Sequence, residues 1–264
     1  MSRNNWAKSM GLDRDGTLFV DIDTGIRLYD LCFDTPLPGE MRIFPEDLMS
    51  AENRQLYYRF LSTLNEIDGI MFHSLYDRKY GFKRGDVVVD AGARVGTFAA
   101  KISAAVGDEG RIIAVEPEPQ NYACLLKNIA ANRLHNVIPI RKMLWSRMEQ
   151  LDLCLSRYFA AHSAYCDEFY NPTGDTIRVE ADTLDNILEA LGVHAVDFIK
   201  MDIEGSEIEA LKGMEAILAS SVQMAIAAYH PVAGAMTYTV IIPHLERLGF
   251  KAHYTEEGIV EAKR

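Results

Sequence analysis

Asp202, Glu204 and Glu207 put three carboxylates into the six residues Asp202-Ile203-Glu204-Gly205-Ser206-Glu207. The run from Val196 to Asp202 before them reads as a strand, and Ser206 to Leu218 reads as a helix with Ile208, Leu211, Met214 and Ile217 on one face. The acids therefore gather at a strand end, where they need partners: a cation, a substrate amine or hydroxyl, or a cofactor tail. The plainer alternative is that Asp202 accepts loop amides while Glu204 and Glu207 cap the helix, whose dipole favours negative charge. Their spacing matches no recognised metal loop, so turnover without a metal is expected. His230 follows the apolar run Val222 to Tyr229. An imidazole there could take a hydroxyl proton, or serve as a structural hydrogen-bond donor. His162 lies in a polar connection and reads as a surface histidine.

A second constellation concerns a cofactor. Val87-Val88-Val89-Asp90-Ala91-Gly92-Ala93-Arg94-Val95-Gly96-Thr97 is an apolar run ending in an acid, then two glycines, then a helix-forming stretch. Buried parallel strands read as such runs, and glycines allow a tight turn that brings backbone against a ligand facing the next helix's free amides. Arg111 to Pro117 is a second apolar run, ending at Glu116, where a carboxylate can accept from both hydroxyls of a ribose. The Gly92-x-x-x-Gly96 pattern lacks the close-set glycines that approach a pyrophosphate, which disfavours a nicotinamide dinucleotide. A ligand carrying adenosine and an amino-acid tail without phosphates suits it better, and S-adenosylmethionine is such a ligand.

The bulk properties bound the class. A chain of 264 residues with 48% hydrophobic and 25% charged residues fits one decorated α/β domain. A net charge of -11 opposes nonspecific binding to nucleic acid or an anionic membrane. No apolar stretch is long enough to span a bilayer, and the first residues lack a signal-peptide core. Cys32, Cys124, Cys154 and Cys166 match no zinc spacing. Cys124 and Cys154, among apolar neighbours, read as buried thiols, and a cytoplasmic location is expected.

The elements that position these groups follow from pattern. Residues 1–84 read as a small N-terminal α+β cap: a hairpin around Asp23-Thr24-Gly25, a helix from Ala51 to Ile67 and another from Ile70 to Tyr80. Its aromatics Tyr57, Tyr58, Phe60, Phe72, Tyr76 and Tyr80 are expected to supply part of an acceptor pocket. From residue 85 to 264 strands and helices alternate. One helix runs from Gly96 to near Gly107, and another opens at Pro119, a residue suited to a first turn. Strands are expected at Val137 to Ile140, Leu151 to Leu155 and Thr176 to Glu180, and a helix capped by Thr183. A last helix ends near Gly249, before a terminal pair at Phe250 to Tyr254 and Gly258 to Ala262. Such an order implies a doubly wound, mostly parallel sheet with its ligand at the carboxyl ends of the strands.

From about Lys83 onward the chain resembles the FkbM-type S-adenosylmethionine-dependent methyltransferases. The resemblance rests on Gly85 to Ala93 with Gly96; Glu116-Pro117 with Asn121, Leu125 and Asn128; Thr183-Leu184-Asp185; and Ile199-Lys200-Met201-Asp202-Ile203-Glu204-Gly205-Ser206-Glu207 with Leu211-Lys212-Gly213. It implies a seven-stranded Rossmann-like methyltransferase sheet closed by a C-terminal antiparallel hairpin. It also implies that Asp90, Gly92 and Gly96 serve the methionine portion of S-adenosylmethionine, Glu116 the ribose, and the segment Arg141 to Trp145 the adenine, with Asp202 near the methyl group and the acceptor. Trp145 and Tyr229 could stack on adenine or face the sulfonium, and core packing is the alternative for both. Arg94 stands where the family usually has asparagine, and could pair with the cofactor carboxylate or remain solvated. Ala228 stands where a glutamate often precedes the histidine.

Methyl transfer to a small-molecule or saccharide hydroxyl is the leading expectation, with His230 and Asp202 as the catalytic pair. The alternatives are a non-catalytic cofactor-binding or regulatory module on the same fold, and a nicotinamide-dependent oxidoreductase.

Overall fold

The computed structural model describes residues 6–15, 17–30, 41–43, 63–157 and 161–264. The expected helix from Ala51 therefore lies outside the described residues except for its helical end at 63–67, and Tyr57, Tyr58, Phe60 and Cys32 lie outside them too.

The hairpin around Gly25 is present, as part of a larger sheet. Strands β1 (Ala7–Leu12), β2 (Leu18–Ile22), β3 (Arg27–Asp30) and β4 (Met41–Ile43) form an antiparallel sheet in the order β3-β2-β1-β4. Strand β1 was hidden in the sequence because Lys8, Ser9 and Gly11 interrupt its apolar positions. In place of the expected helix from Ile70 to Tyr80 there is a π-helical turn at Asp68–Phe72, followed by irregular turns. The aromatics explain the difference. Phe72 stacks on Trp6 at 5.0 Å, Tyr80 packs on Phe198 at 4.6 Å and Tyr76 turns into the core, directions that one straight helix could not serve together.

The chain then builds the larger sheet with β5 (Val87–Ala91), helix α1 (Thr97–Val106), β6 (Arg111–Val115), helix α2 (Pro119–Asn132) and β7 (Val137–Ile140). Next, β8 (Met143–Leu144), β9 (Glu149–Ser156) and β10 (Pro172–Asp182) form a separate sheet in the order β8-β10-β9. The strands expected at Leu151 and Thr176 thus form an antiparallel insertion outside the main sheet. Cys154 pairs with Cys166 in a disulfide there, which corrects its reading as a free buried thiol. Cys124 is free and buried.

Helix α3 (Leu184–Ala190), capped by Thr183 Oγ1 as expected, leads to β11 (Phe198–Met201). The single helix expected from Ser206 is broken into α4 (Glu207–Lys212) and α5 (Glu215–Leu218). A side chain at Gly213 would overlap the Trp145 carbonyl, and Asp185 caps the new helix by accepting from the amides of Ala216 and Ile217. β12 (Gln223–Ala227), the short pair β13 (Pro231–Val232) and β14 (Ala235–Met236), helix α6 (Tyr238–Arg247), β15 (Lys251–Tyr254) and β16 (Ile259–Lys263) complete the chain.

The seven-stranded sheet has the order β15-β16-β12-β11-β5-β6-β7. Strands β7, β6, β5, β11 and β12 are parallel, while β16 is antiparallel to β12 and β15, the hairpin expected at the C-terminus. The winding direction reverses between β5 and β11, and in open α/β sheets a ligand crevice lies at that reversal. The core on one face joins Val88, Phe98 and Ile102 to Met10, Leu18, Leu28 and Tyr76 of the N-terminal region. Asn128 ties the two by donating to the carbonyls of Tyr29 and Val95 and accepting from the Tyr29 amide. No helix among the described residues is long and apolar enough to cross a membrane.

Candidate functional site

The turn after β5 takes left-handed backbone at Gly92 (φ 73°), Arg94 (φ 49°) and Gly96 (φ 86°). The two glycines are required by close approach within the protein. A Cβ on Gly92 would run into the Asp202 carbonyl, and one on Gly96 would lie 2.5 Å from Leu125 Cδ1. Beneath the turn sits Lys200, whose position beside Asp90 follows from the parallel register of β11 on β5. Its Nζ donates to the carbonyl of Gly92 at 2.6 Å and lies 3.1 Å from Asp90 Oδ1, with both side chains almost wholly buried. Asp90 therefore faces the lysine, and acts on the turn through it. The sequence signal for Lys200 was a charge inside the apolar strand Phe198-Ile199-Lys200-Met201, which earned it no place among the candidates.

Arg94 is held by the N-terminal region. Its guanidinium pairs with Asp30 (2.8 Å) and Glu66 (2.5 Å), two acids remote in sequence that no local pattern flagged. Its backbone amide donates to Glu116 Oε2 at 2.9 Å, and the Glu118 amide donates to Oε1 at 3.0 Å. Burial pushes the Glu116 carboxyl up to about 7 against these two amide bonds, which favour its charge. Glu118 in turn caps α2 by accepting from the Asn121 amide.

These groups open on a cleft at the carboxyl ends of β5, β6 and β11. Gly92, Arg94 and Glu116 line it, together with the apolar side chains of Met143, Leu144, Leu153, Val115 and Pro117. Asp202, Ile203 and Glu204 line it from the end of β11. Of the residues assigned to the cofactor, Gly92, Arg94, Glu116 and Asp202 thus meet in one cavity, while Asp90 and Gly96 stand behind it. Trp145 lies outside the lining, packed beside Met143, Leu153, Val179 and Ala181. His162, read as a surface residue, instead lines the cleft. Its Nδ1 accepts from the Ser156 amide at 3.0 Å, and burial lowers its pKa to about 4, so the ring is neutral.

At the β11 end the chain doubles back through Glu204 (φ 53°) and Gly205 (φ 94°). Glu207 Oε1 accepts from the amides of Ile203 and Gly205, which fixes the turn. Tyr76 donates its hydroxyl to Asp202 Oδ2 at 2.6 Å, a contact from the N-terminal region to the sheet's switch point. His230 is wholly buried behind these acids, with Nδ1 3.0 Å from Glu207 Oε1 and Nε2 3.3 Å from Glu204 Oε2 and 3.7 Å from Asp202 Oδ1. Burial opposes its charge, but Glu204, Glu207 and Asp202 outweigh burial and push its pKa up to about 11. A base must reach the proton it takes. His230 does not line the cleft, and both its nitrogens face carboxylates. In this geometry the ring orders the acids in front of it. Ala228, where the family often has glutamate, is buried in the core on the other face of the sheet.

Comparison with known proteins identifies the family. Residues 90–252, well over half of the chain, match the family model of the methyltransferase FkbM domain. The chain is 28% identical over 156 residues to methyltransferase sdnD of Sordaria araneosa, an alignment covering 48% of this chain and 60% of that protein. It is also similar to the crystal structure of methyltransferase FkbM from Methylobacillus flagellatus KT, with a TM-score of 0.50 and 20% identity, over 75% of this chain and 48% of that one. The chain thus spans about half to three fifths of the length of these relatives. The matched segment contains the β5 turn, Glu116, the acidic turn and His230, and the chain belongs to the FkbM family of S-adenosylmethionine-dependent methyltransferases.

Proposed function

We propose that this chain transfers the methyl group of S-adenosylmethionine to a hydroxyl of a small-molecule or saccharide acceptor. The observation that carries the reading is one cleft lined by Glu116, after β6, and by Asp202 with Glu204, after β11, on either side of β5. The residues present suit the co-substrate. Both Glu116 oxygens are already oriented by amides and can accept from a ribose diol, and the apolar wall of Met143, Leu144 and Leu153 offers a slot for adenine. The bound donor supplies a methyl carbon activated by a sulfonium. The protein's part is alignment, worth about 7 to 11 kcal/mol when reacting atoms are held in line.

In this reading Asp202 and Glu204 receive the acceptor hydroxyl, Tyr76 fixes the Asp202 carboxylate, and His230 with Glu207 holds the turn. Residues 1–84 act as the cap that shapes the acceptor side, because Tyr76 reaches the cleft-lining Asp202 from that region.

Incubating the protein with S-adenosylmethionine and a panel of hydroxylated acceptors, and measuring S-adenosylhomocysteine released, tests this. Acceptor-dependent release with a methyl ether in the product is expected. Release only with amine acceptors would replace the hydroxyl assignment, and tight cofactor binding without release on any acceptor would favour a regulatory module.

A further inference from the structure

We propose that Asp202, Glu204 and His230 form a binding site for a first-row divalent cation at the acceptor end of the cleft. The proposal rests on the methyltransferase reading and adds to it a means of holding the acceptor oxygen.

The geometry carries it. One ligand atom from each of the three residues lies within 4.8 Å of the others. Ligands about 2.1 Å from one ion, at angles between the octahedral and tetrahedral values, stand about 3.0 to 3.4 Å apart. His230 Nε2 is 3.3 Å from Glu204 Oε2 and 3.7 Å from Asp202 Oδ1, close to that spacing.

The second observation lies behind the cluster. His230 is wholly buried, and although both ring nitrogens are in ion-pair range of carboxylates, neither makes a well-formed hydrogen bond. Asp202 Oδ1 is likewise buried without one, while its Oδ2 is taken by Tyr76. Glu207 stands 3.0 Å from Nδ1 on the far side of the ring, itself anchored by two backbone amides. A carboxylate on one imidazole nitrogen, directing the other at a centre, is the usual support of a metal-binding histidine. A divalent ion at that centre would displace the proton on Nε2 and stand in for its positive charge among the three converging carboxylates.

The donor set selects the ion. One imidazole with two carboxylates suits Mn²⁺ or Zn²⁺ better than Ca²⁺ or Mg²⁺, which favour all-oxygen shells. Asp202 and Glu204 line the cleft, so the remaining coordination positions would face the acceptor. A hydroxyl oxygen bound there loses its proton to water more readily. That oxygen then forms the bond to the methyl carbon as the carbon–sulfur bond breaks and its electron pair stays on sulfur.

The test uses the full chain stripped with a chelator and titrated with Mn²⁺, following loss of the free-ion paramagnetic resonance signal. One site per chain is expected. Glu204→Gln, at a partly exposed position with no backbone bond to lose, should weaken it at least about tenfold, and Glu207→Gln by about 10- to 100-fold. S-adenosylhomocysteine is titrated in parallel with chelator present. Cofactor binding without Mn²⁺ binding up to millimolar concentration, or Mn²⁺ binding unchanged in both variants, would overturn the cation site and leave the methyltransferase reading intact. Failure of S-adenosylhomocysteine to bind would instead count against that reading.

Discussion

Glu116 shows how one side chain links burial to ligand binding. Burial pushes its carboxyl up to about 7, above the usual glutamate value of 4.5. A raised carboxyl favours the folded state fully below the unfolded value, and that contribution is lost as pH rises through about 7. Glu116→Gln should therefore gain stability over wild type at pH 8 and match it near pH 5, within roughly 3 kcal/mol at most by denaturant unfolding. Binding of a ribose diol needs the charged form, so affinity for S-adenosylhomocysteine should fall as pH drops below 7, approaching about tenfold per unit. If affinity is flat from pH 5 to 8, Glu116 does not hold the ribose. At this scale the sequence showed the acids at strand ends, because a carboxylate after an apolar run has few roles. It did not show Lys200, Tyr76, Glu66 or Asp30 as site residues. Their partners lie far along the chain, and only the folded register brings Lys200 beside Asp90 and Tyr76 beside Asp202.

The elements were legible where the signal is local. Pro119 and Thr183 open helices where expected, and the apolar runs at 87, 111 and 223 became neighbouring parallel strands, except that β11 intervenes between β5 and β12. Tertiary contacts decided the rest. Gly213 splits a continuous apolar stripe because the Trp145 carbonyl occupies the place of its side chain, and the β9–β10 pair left the main sheet although each strand looked ordinary. The glycines differ in the same way. Gly92 and Gly25 both have positive φ, but only Gly92 meets a neighbour where a Cβ would go. Gly25→Ala should cost about 1 to 2 kcal/mol, the left-handed penalty alone. Gly92→Ala should cost more, because the Asp202 backbone must also move, and should weaken cofactor binding as well. Equal losses in the two variants, by urea unfolding, would show that the turn yields to the added methyl group.

Across the whole molecule the N-terminal region and the nucleotide-type sheet meet at the site. The two share one apolar core, and Arg94, on the cofactor turn, is neutralised by Asp30 and Glu66 rather than left to solvent. Neither partner was visible from sequence, where Arg94 registered only as a departure from asparagine. Arg94→Met would take the guanidinium from two largely buried acids, and breaking such a pair costs about 3 to 5 kcal/mol. The variant should unfold at lower urea and bind cofactor more weakly, whereas wild-type behaviour in both would make the N-terminal pairing incidental. Whether the cleft between Glu116 and Asp202 holds S-adenosylmethionine is tested most directly by calorimetric titration of S-adenosylhomocysteine into wild type and Glu116→Ala. One site per chain is expected, weakened in the variant by about 1.5 to 3 kcal/mol for each hydrogen bond that a ribose hydroxyl no longer makes. Equal affinity in the two proteins, or no binding to wild type, would contradict the assignment of this cleft to the cofactor.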